Sequence, residues 1–163
     1  MPAEPTSLKP CQDEAPVKPS GRLVALDLGE KRVGVAVSDE MQLTVRPLPA
    51  LERRNWKRLL REVKALLAEF EAGALVVGLP LSLDGTEGTA AQGARRLARN
   101  FSLSLEAPVF LQDERLTSQE ALQYLRAAGH DEQSLRQRLD SEAAAIILRD
   151  FIADQPKTPV RAS

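Results

Sequence analysis

The sequence predicts one mixed α/β domain: a five-stranded sheet, three antiparallel strands then parallel strands, with helices on both faces. Three observations predict it. Three strand-type apolar runs follow closely between residues 22 and 48, the apolar period then changes from two to 3.6, and strand-type and helix-type segments alternate from residue 74 onward.

The first strand lies in the run Arg22 to Leu28 and is expected to end near Asp27. Gly29-Glu-Lys-Arg32 supplies turn chemistry, and Val33 to Ser38 follows so closely that an antiparallel hairpin is the simplest connection. A third strand is expected from Thr44 to Leu48, stopping before Pro49. Trp56, Leu59, Leu60, Val63, Leu66, Leu67 and Phe70 then share one face of a helix, with Asn55 placed as its N-cap. Ala74 to Leu79 is a buried-type strand ending at Pro80. Thr89 to Phe101 is a helix, and Pro108 to Gln112 is the fifth strand. Thr117-Ser-Gln-Glu120 has capping-box spacing for a helix that Gly129 stops, and a last helix is expected to begin near Asp140, with Ala143, Ala144, Ile147, Leu148 and Phe151 inward.

Composition narrows the chemistry. The chain has 163 residues, 22 Lys+Arg against 23 Asp+Glu, one His and one Cys, and 43% hydrophobic residues. That suits a single domain with a real core, and no apolar run approaches the roughly 18 residues of a membrane span. Cys11 stands alone in a Pro-rich leader, so neither an intrachain disulfide nor a thiolate zinc cluster is available. His130 follows Gly129 and precedes Asp131-Glu132, a loop context rather than that of a general base. Residues 1–20 carry Pro2, Pro5, Pro10, Pro16 and Pro19 without a secretory apolar segment. They are expected to be disordered in a cytoplasmic protein, with the folded unit at 21–154 and a flexible tail at 155–163.

Three carboxylates then stand out. Asp27 lies among apolar residues within a strand, where a charge needs a partner or a metal. Glu114 sits at the end of the fifth strand, where open α/β sheets place ligands. Asp140 continues the inward stripe of the last helix. Hard oxygen donors without His or Cys suit Mg²⁺ or Mn²⁺, and two such ions about 4 Å apart can drive phosphodiester hydrolysis. Each residue also has a plainer reading: Asp140 as an N-cap, Glu114 as a surface partner of Arg115, Asp27 as acceptor for the Gly29 amide.

Four segments carry a family resemblance: Ala25 to Asp39, Val77 to Gly88, Asp113 to Ser118, and Asp140 to Leu148. In this order they resemble the successive motifs of the YqgF/RuvX family, described as Holliday-junction resolvases and as pre-16S rRNA processing nucleases. The resemblance implies an RNase H-like fold and a metal-dependent endonuclease, with Asp27, Glu114 and Asp140 on the family's three acidic positions as catalytic and Mg²⁺- or Mn²⁺-binding residues. It also implies a role for the loop Ser82 to Gly88, where Gly85 and Gly88 allow a backbone to approach phosphate closely.

Lys31, Arg32 and Arg115 flank the acidic motifs and are candidates for holding substrate phosphates. The basic run from Arg53 to Lys64 is read instead as the solvated face of an amphipathic helix. A net charge of −1 argues for a local cationic footprint. Six aromatic residues are too few for a stacking platform, so recognition by shape and phosphate contact is favoured.

The expected function is endonuclease action on structured nucleic acid in 5′-end maturation of pre-16S rRNA. The alternatives are Holliday-junction resolution, or a nonenzymatic ribosome-assembly or RNA-binding factor. The expected partners are precursor rRNA or branched DNA, with ribosomal particles as a further candidate, no membrane, and a monomer or homodimer. The Asp27-Leu-Gly29 hairpin also resembles the first phosphate motif of actin-like and sugar-kinase ATPases, but those enzymes need two such lobes and this chain has one.

Overall fold

The computed structural model describes residues 15–82, 84–114 and 132–161, and of 132–140 only the backbone. Its elements are β1 (Leu23–Leu28), β2 (Arg32–Ser38), β3 (Val45–Glu52), α1 (Trp56–Glu69), β4 (Ala74–Leu79), α2 (Thr89–Ser104), β5 (Val109–Asp113) and α3 (Glu132–Ala153). The helix expected between Thr117 and Gly129, with His130 beyond it, lies outside the described residues.

The sheet has the order β3-β2-β1-β4-β5. β2 runs antiparallel to both β1 and β3, while β1–β4 and β4–β5 are parallel. The mixed sheet expected from the sequence is therefore the one observed. β1 and β4 lie inside, which explains their near-continuous apolar runs, since a strand covered on both faces has no solvent side.

Side-chain alternation divides the core. Val24, Leu26, Leu75, Val77 and Val109 pack with Leu59 and Val63 of α1 and Ala98 and Phe101 of α2. Trp56 meets Phe101 with ring centroids 4.9 Å apart, joining the two helices. The opposite face carries Leu23, Ala25, Ala36, Ala74, Val76 and Phe110 beneath α3, whose Ala144, Ile147, Leu148 and Phe151 are fully buried. The alanines on both sides let α3 lie close to the sheet.

Two boundaries differ from the sequence expectation. β3 continues through Pro47 and Pro49 to Glu52, because it is an edge strand that pairs only with β2, and an edge tolerates residues that cannot donate. It also carries one extra residue: Val33 opposes Leu51 and Val35 opposes Leu48, so Gly34 faces both Pro49 and Ala50. The last helix begins at Glu132, two turns before Asp140. Asp140 is thus interior to α3, and the N-cap reading does not hold.

The segment after α3 runs back along the domain. Val17 and Lys157 form an antiparallel bridge, and the Val160 amide donates to the Val109 carbonyl at 2.6 Å. Among the described residues no helix is long and apolar enough to cross a membrane.

Candidate active site

The C-terminal ends of β1, β4 and β5 point the same way, and the acidic residues gather there. Asp27 is the fifth residue of β1, half-buried, and pairs across the hairpin with Gly34. Glu114 follows the last residue of β5, and its amide donates to the Leu79 carbonyl at 3.1 Å, extending the β4–β5 ladder by one step. Alternation puts both on the α3 face: Leu23, Ala25 and Asp27 along β1, and Phe110, Gln112 and Glu114 along β5.

A whole strand separates β1 from β5, yet the two carboxyls touch. Glu114 is hydrogen-bonded to Asp27, and its carboxyl is pushed up to about 9, first by burial, then by the adjacent Asp27 charge and that hydrogen bond, with Asp113 adding repulsion. Gly78 makes the crossing possible. A Cβ there would overlap Glu114 Oε2 and lie 2.6 Å from Ile147 Cδ1, so the Glu114 carboxyl occupies the space that a side chain on β4 would fill. The sequence reading missed Gly78. Its signal was a glycine inside an otherwise unbroken apolar strand, which marks a close approach.

Asp140 contributes a backbone position; its side chain lies outside the description, as does all of Arg115. Its neighbour Ser141 is 5% exposed and fills the irregularity in the β2–β3 ladder. The Ser141 hydroxyl donates to the Leu48 carbonyl at 2.6 Å and accepts from the Val35 amide at 3.3 Å. Val35 adjoins Gly34, the partner of Asp27, so α3 is pinned beside the Asp27 row at the turn that carries Asp140. Sequence reasoning also passed over Ser141, because a serine among helix alanines carries no periodic signal.

The loops around this end are built by specific bonds. The Gly29 amide donates to the Arg32 carbonyl at 3.0 Å, so the turn closes on itself. Lys31 is exposed at its tip and Arg32 opens β2, half-buried. After β4, Gly85 adopts φ +84° and donates to the Ser82 carbonyl at 2.8 Å, a conformation that favours glycine. Asp84 accepts from the Thr86 amide and hydroxyl, and Leu81 bridges Glu87. Gly88 precedes the first turn of α2 in an extended conformation, and a Cβ there would meet nothing within 4 Å, so space remains in front of that turn.

Two touching carboxyls in a half-buried setting must share a proton or hold a cation between them, and hard oxygen donors fit an ion of the Mg²⁺ class. Among the described residues no three His, Cys, Asp or Glu side chains form a metal-holding group. The pair of Asp27 and Glu114 is what the described side chains supply.

A sheet of order 3-2-1-4-5 with a hairpin, parallel later strands and acidic residues at their C-terminal ends defines an RNase H-like protein. The Thermus thermophilus RuvC chain in the structure titled "T. thermophilus RuvC in complex with Holliday junction substrate" matches this fold with a TM-score of 0.53 at 15% identity, over 85% of this chain and 99% of that one. Within that class the chain belongs to the RuvX family, described as "Holliday junction resolvase", whose family model matches residues 21–154. Relatives agree: a protein of Anaeromyxobacter sp. (strain Fw109-5) named "Putative pre-16S rRNA nuclease" is 43% identical over 131 residues, 80% of this chain and 96% of its own. One of the same name from Syntrophus aciditrophicus (strain SB) is 36% identical over 140 residues, 85% of this chain and 93% of its own.

Proposed function

We propose that the protein is a divalent-cation-dependent endonuclease that hydrolyses phosphodiester bonds in structured nucleic acid, acting in the cytoplasm on the 5′ side of precursor 16S rRNA. The observation that carries this reading is the contact of the Asp27 and Glu114 carboxyls at the C-terminal ends of β1 and β5. Asp140, on the adjoining turn of α3, is the third acidic ligand in this reading.

A bound Mg²⁺ or Mn²⁺ would activate water and stabilise charge on the leaving oxygen. The chain's own contribution is to hold the oxygen donors in place before the substrate arrives: Gly78 by leaving room, and Ser141 by fixing α3. Lys31, Arg32 and Arg115 steady the phosphate from the β1–β2 turn and the segment after β5, and the Gly85 and Gly88 backbone admits the strand.

The test is to incubate wild type and Asp27→Asn with end-labelled precursor 16S rRNA and with four-way DNA junctions, in Mg²⁺, Mn²⁺ or EDTA. Cation-dependent cleavage of the RNA by wild type alone is expected. Cleavage that survives the substitution or the chelator overturns the mechanism, and cleavage confined to the junction overturns the substrate.

A further inference from the structure

The strongest charge asymmetry in the chain lies outside the acidic site. Residues 53–64 carry Arg53, Arg54, Lys57, Arg58, Arg61 and Lys64 against Glu62 alone, a net of +5, while the whole chain carries −1. The other residues therefore sum to −6. A nucleic acid approaching this run therefore meets a local positive field on a chain whose remainder is net acidic.

Read as sequence, this run is the wet side of an amphipathic helix, and the packing agrees: Leu59 and Val63 are buried while Lys57, Arg58, Arg61 and Lys64 are exposed. The fold adds its location. β3 ends at Glu52 opposite Arg32, where β2 begins and just past the end of β1, so α1 starts at the same end of the sheet as Asp27 and Glu114. The two loops there are stitched together. The Arg53 amide donates to the Lys31 carbonyl at 2.9 Å, and its guanidinium donates to the Gly29 carbonyl at 2.8 Å.

Beyond the stitch lies a shallow basin of about 590 Å³ lined by Asn55, Lys57, Arg58, Arg61 and Glu62. No acidic residue occupies the first turn of α1. Arg58 meets half-buried Glu62 through Nε alone at 3.2 Å, a single-contact pair of small net worth. Arg54 donates through Nε and Nη2 to a single oxygen of Glu52 and does not line the basin.

We propose that Lys57, Arg58 and Arg61 form a second phosphate-binding ledge, which grips the backbone of the substrate strand at a distance from the scissile bond. This rests on the nuclease reading of the acidic site and adds to it a direction for the strand. The acidic pair lies on the α3 face of the sheet and α1 covers the other, so one strand meets both grips where it passes round their shared end of the sheet. The ledge reads no sequence; it sets register and contributes salt-sensitive affinity.

The experiment compares full-length wild type, Lys57→Gln/Arg58→Gln/Arg61→Gln, and a charge-matched control, Lys18→Gln/Lys64→Gln/Lys157→Gln. The control residues lie toward the far end of the sheet, where Lys64 lines a hollow with Gly73 and Ala107 and Lys157 bridges Val17. Glutamine is a good helix former and all three ledge sites are exposed, so helicity by circular dichroism stays unchanged. Binding of a labelled single-stranded RNA is read by anisotropy in EDTA across a fourfold rise in salt.

At about 0.7 per phosphate, losing three contacts makes the log–log salt slope shallower by about 2, so wild type loses about 15- to 20-fold more affinity than the ledge variant over that range. The control keeps the wild-type slope. Equal slopes in wild type and ledge variant, or an equal loss in the control, overturn the ledge while leaving the nuclease reading intact. Wild type that binds no RNA at any salt also overturns the ledge, whereas the nuclease reading stands or falls on the cleavage assay. Asp27→Asn that binds with the wild-type slope but fails to cleave separates the two readings.

Discussion

Gly78→Ala probes the geometry of the site most directly. The added Cβ lies 2.6 Å from Ile147 Cδ1, about 1 Å inside the ordinary carbon–carbon contact, and also overlaps the Glu114 carboxyl. The two neighbours respond differently. The Glu114 carboxyl is a side-chain end that can swing away, whereas Ile147 is a fully buried residue of α3 and can yield only by leaving its rotamer or lifting the helix. Overpacking of this kind costs about 1–3 kcal/mol, and for a chain of this size each kcal/mol lowers Tm by roughly 2–4 °C. The displaced carboxylate separately lowers cleavage by about 100-fold or more, the penalty of a misplacement near 1 Å.

Thermal melts and urea titrations measure the first effect, and single-turnover cleavage the second. Adding Ile147→Val removes the clashing methyl. It costs about 0.5–1.5 kcal/mol alone but less in the Gly78→Ala background, while cleavage stays low because Glu114 is still displaced. Wild-type stability and wild-type cleavage in Gly78→Ala would refute the account of Glu114 crossing β4 through the space of a missing side chain.

Three further outcomes are expected. With its carboxyl raised from 4.5 to about 9, Glu114 makes the folded state bind a proton more tightly than the unfolded chain between those values, so in EDTA its contribution to stability is complete below pH 4.5 and declines as pH rises toward 9. Glu114→Gln removes that slope, and melts at stepped pH that keep it would contradict the origin assigned. Ser141→Ala leaves the Val35 amide and Leu48 carbonyl short of a partner under α3 and costs about 1–3 kcal/mol by urea titration, with Ser141→Thr recovering part of it; a cost below about 0.5 kcal/mol would remove the hydroxyl from this role. Asn55→Ala deletes the acceptor for the Arg58 amide at the start of α1 and costs about 0.5–2 kcal/mol, whereas Asn55→Asp retains most of the cap.

The order of elements was legible because each has a local cause. The period-two and period-3.6 runs, the Asn55 cap and the Gly29 turn state their own geometry, and α1 begins where the cap predicts. The misread boundaries depend on neighbours. Whether Pro47 and Pro49 end a strand depends on which edge is paired, a property of the sheet and not of the prolines.

The site divides in the same way. Residue type and strand-end position singled out Asp27 and Glu114, since a carboxylate in an apolar strand needs a counterpart wherever the chain goes. Their contact is a property of three adjacent strands: β1 and β5 are two spacings apart, and only the parallel register that sets Gly78 between them lets one carboxyl reach the other. The basic run of α1 likewise looks the same on any amphipathic helix. Its meaning came from sheet order, because periodicity tells a side chain whether to face water, and only the tertiary fold decides what lies beside it there.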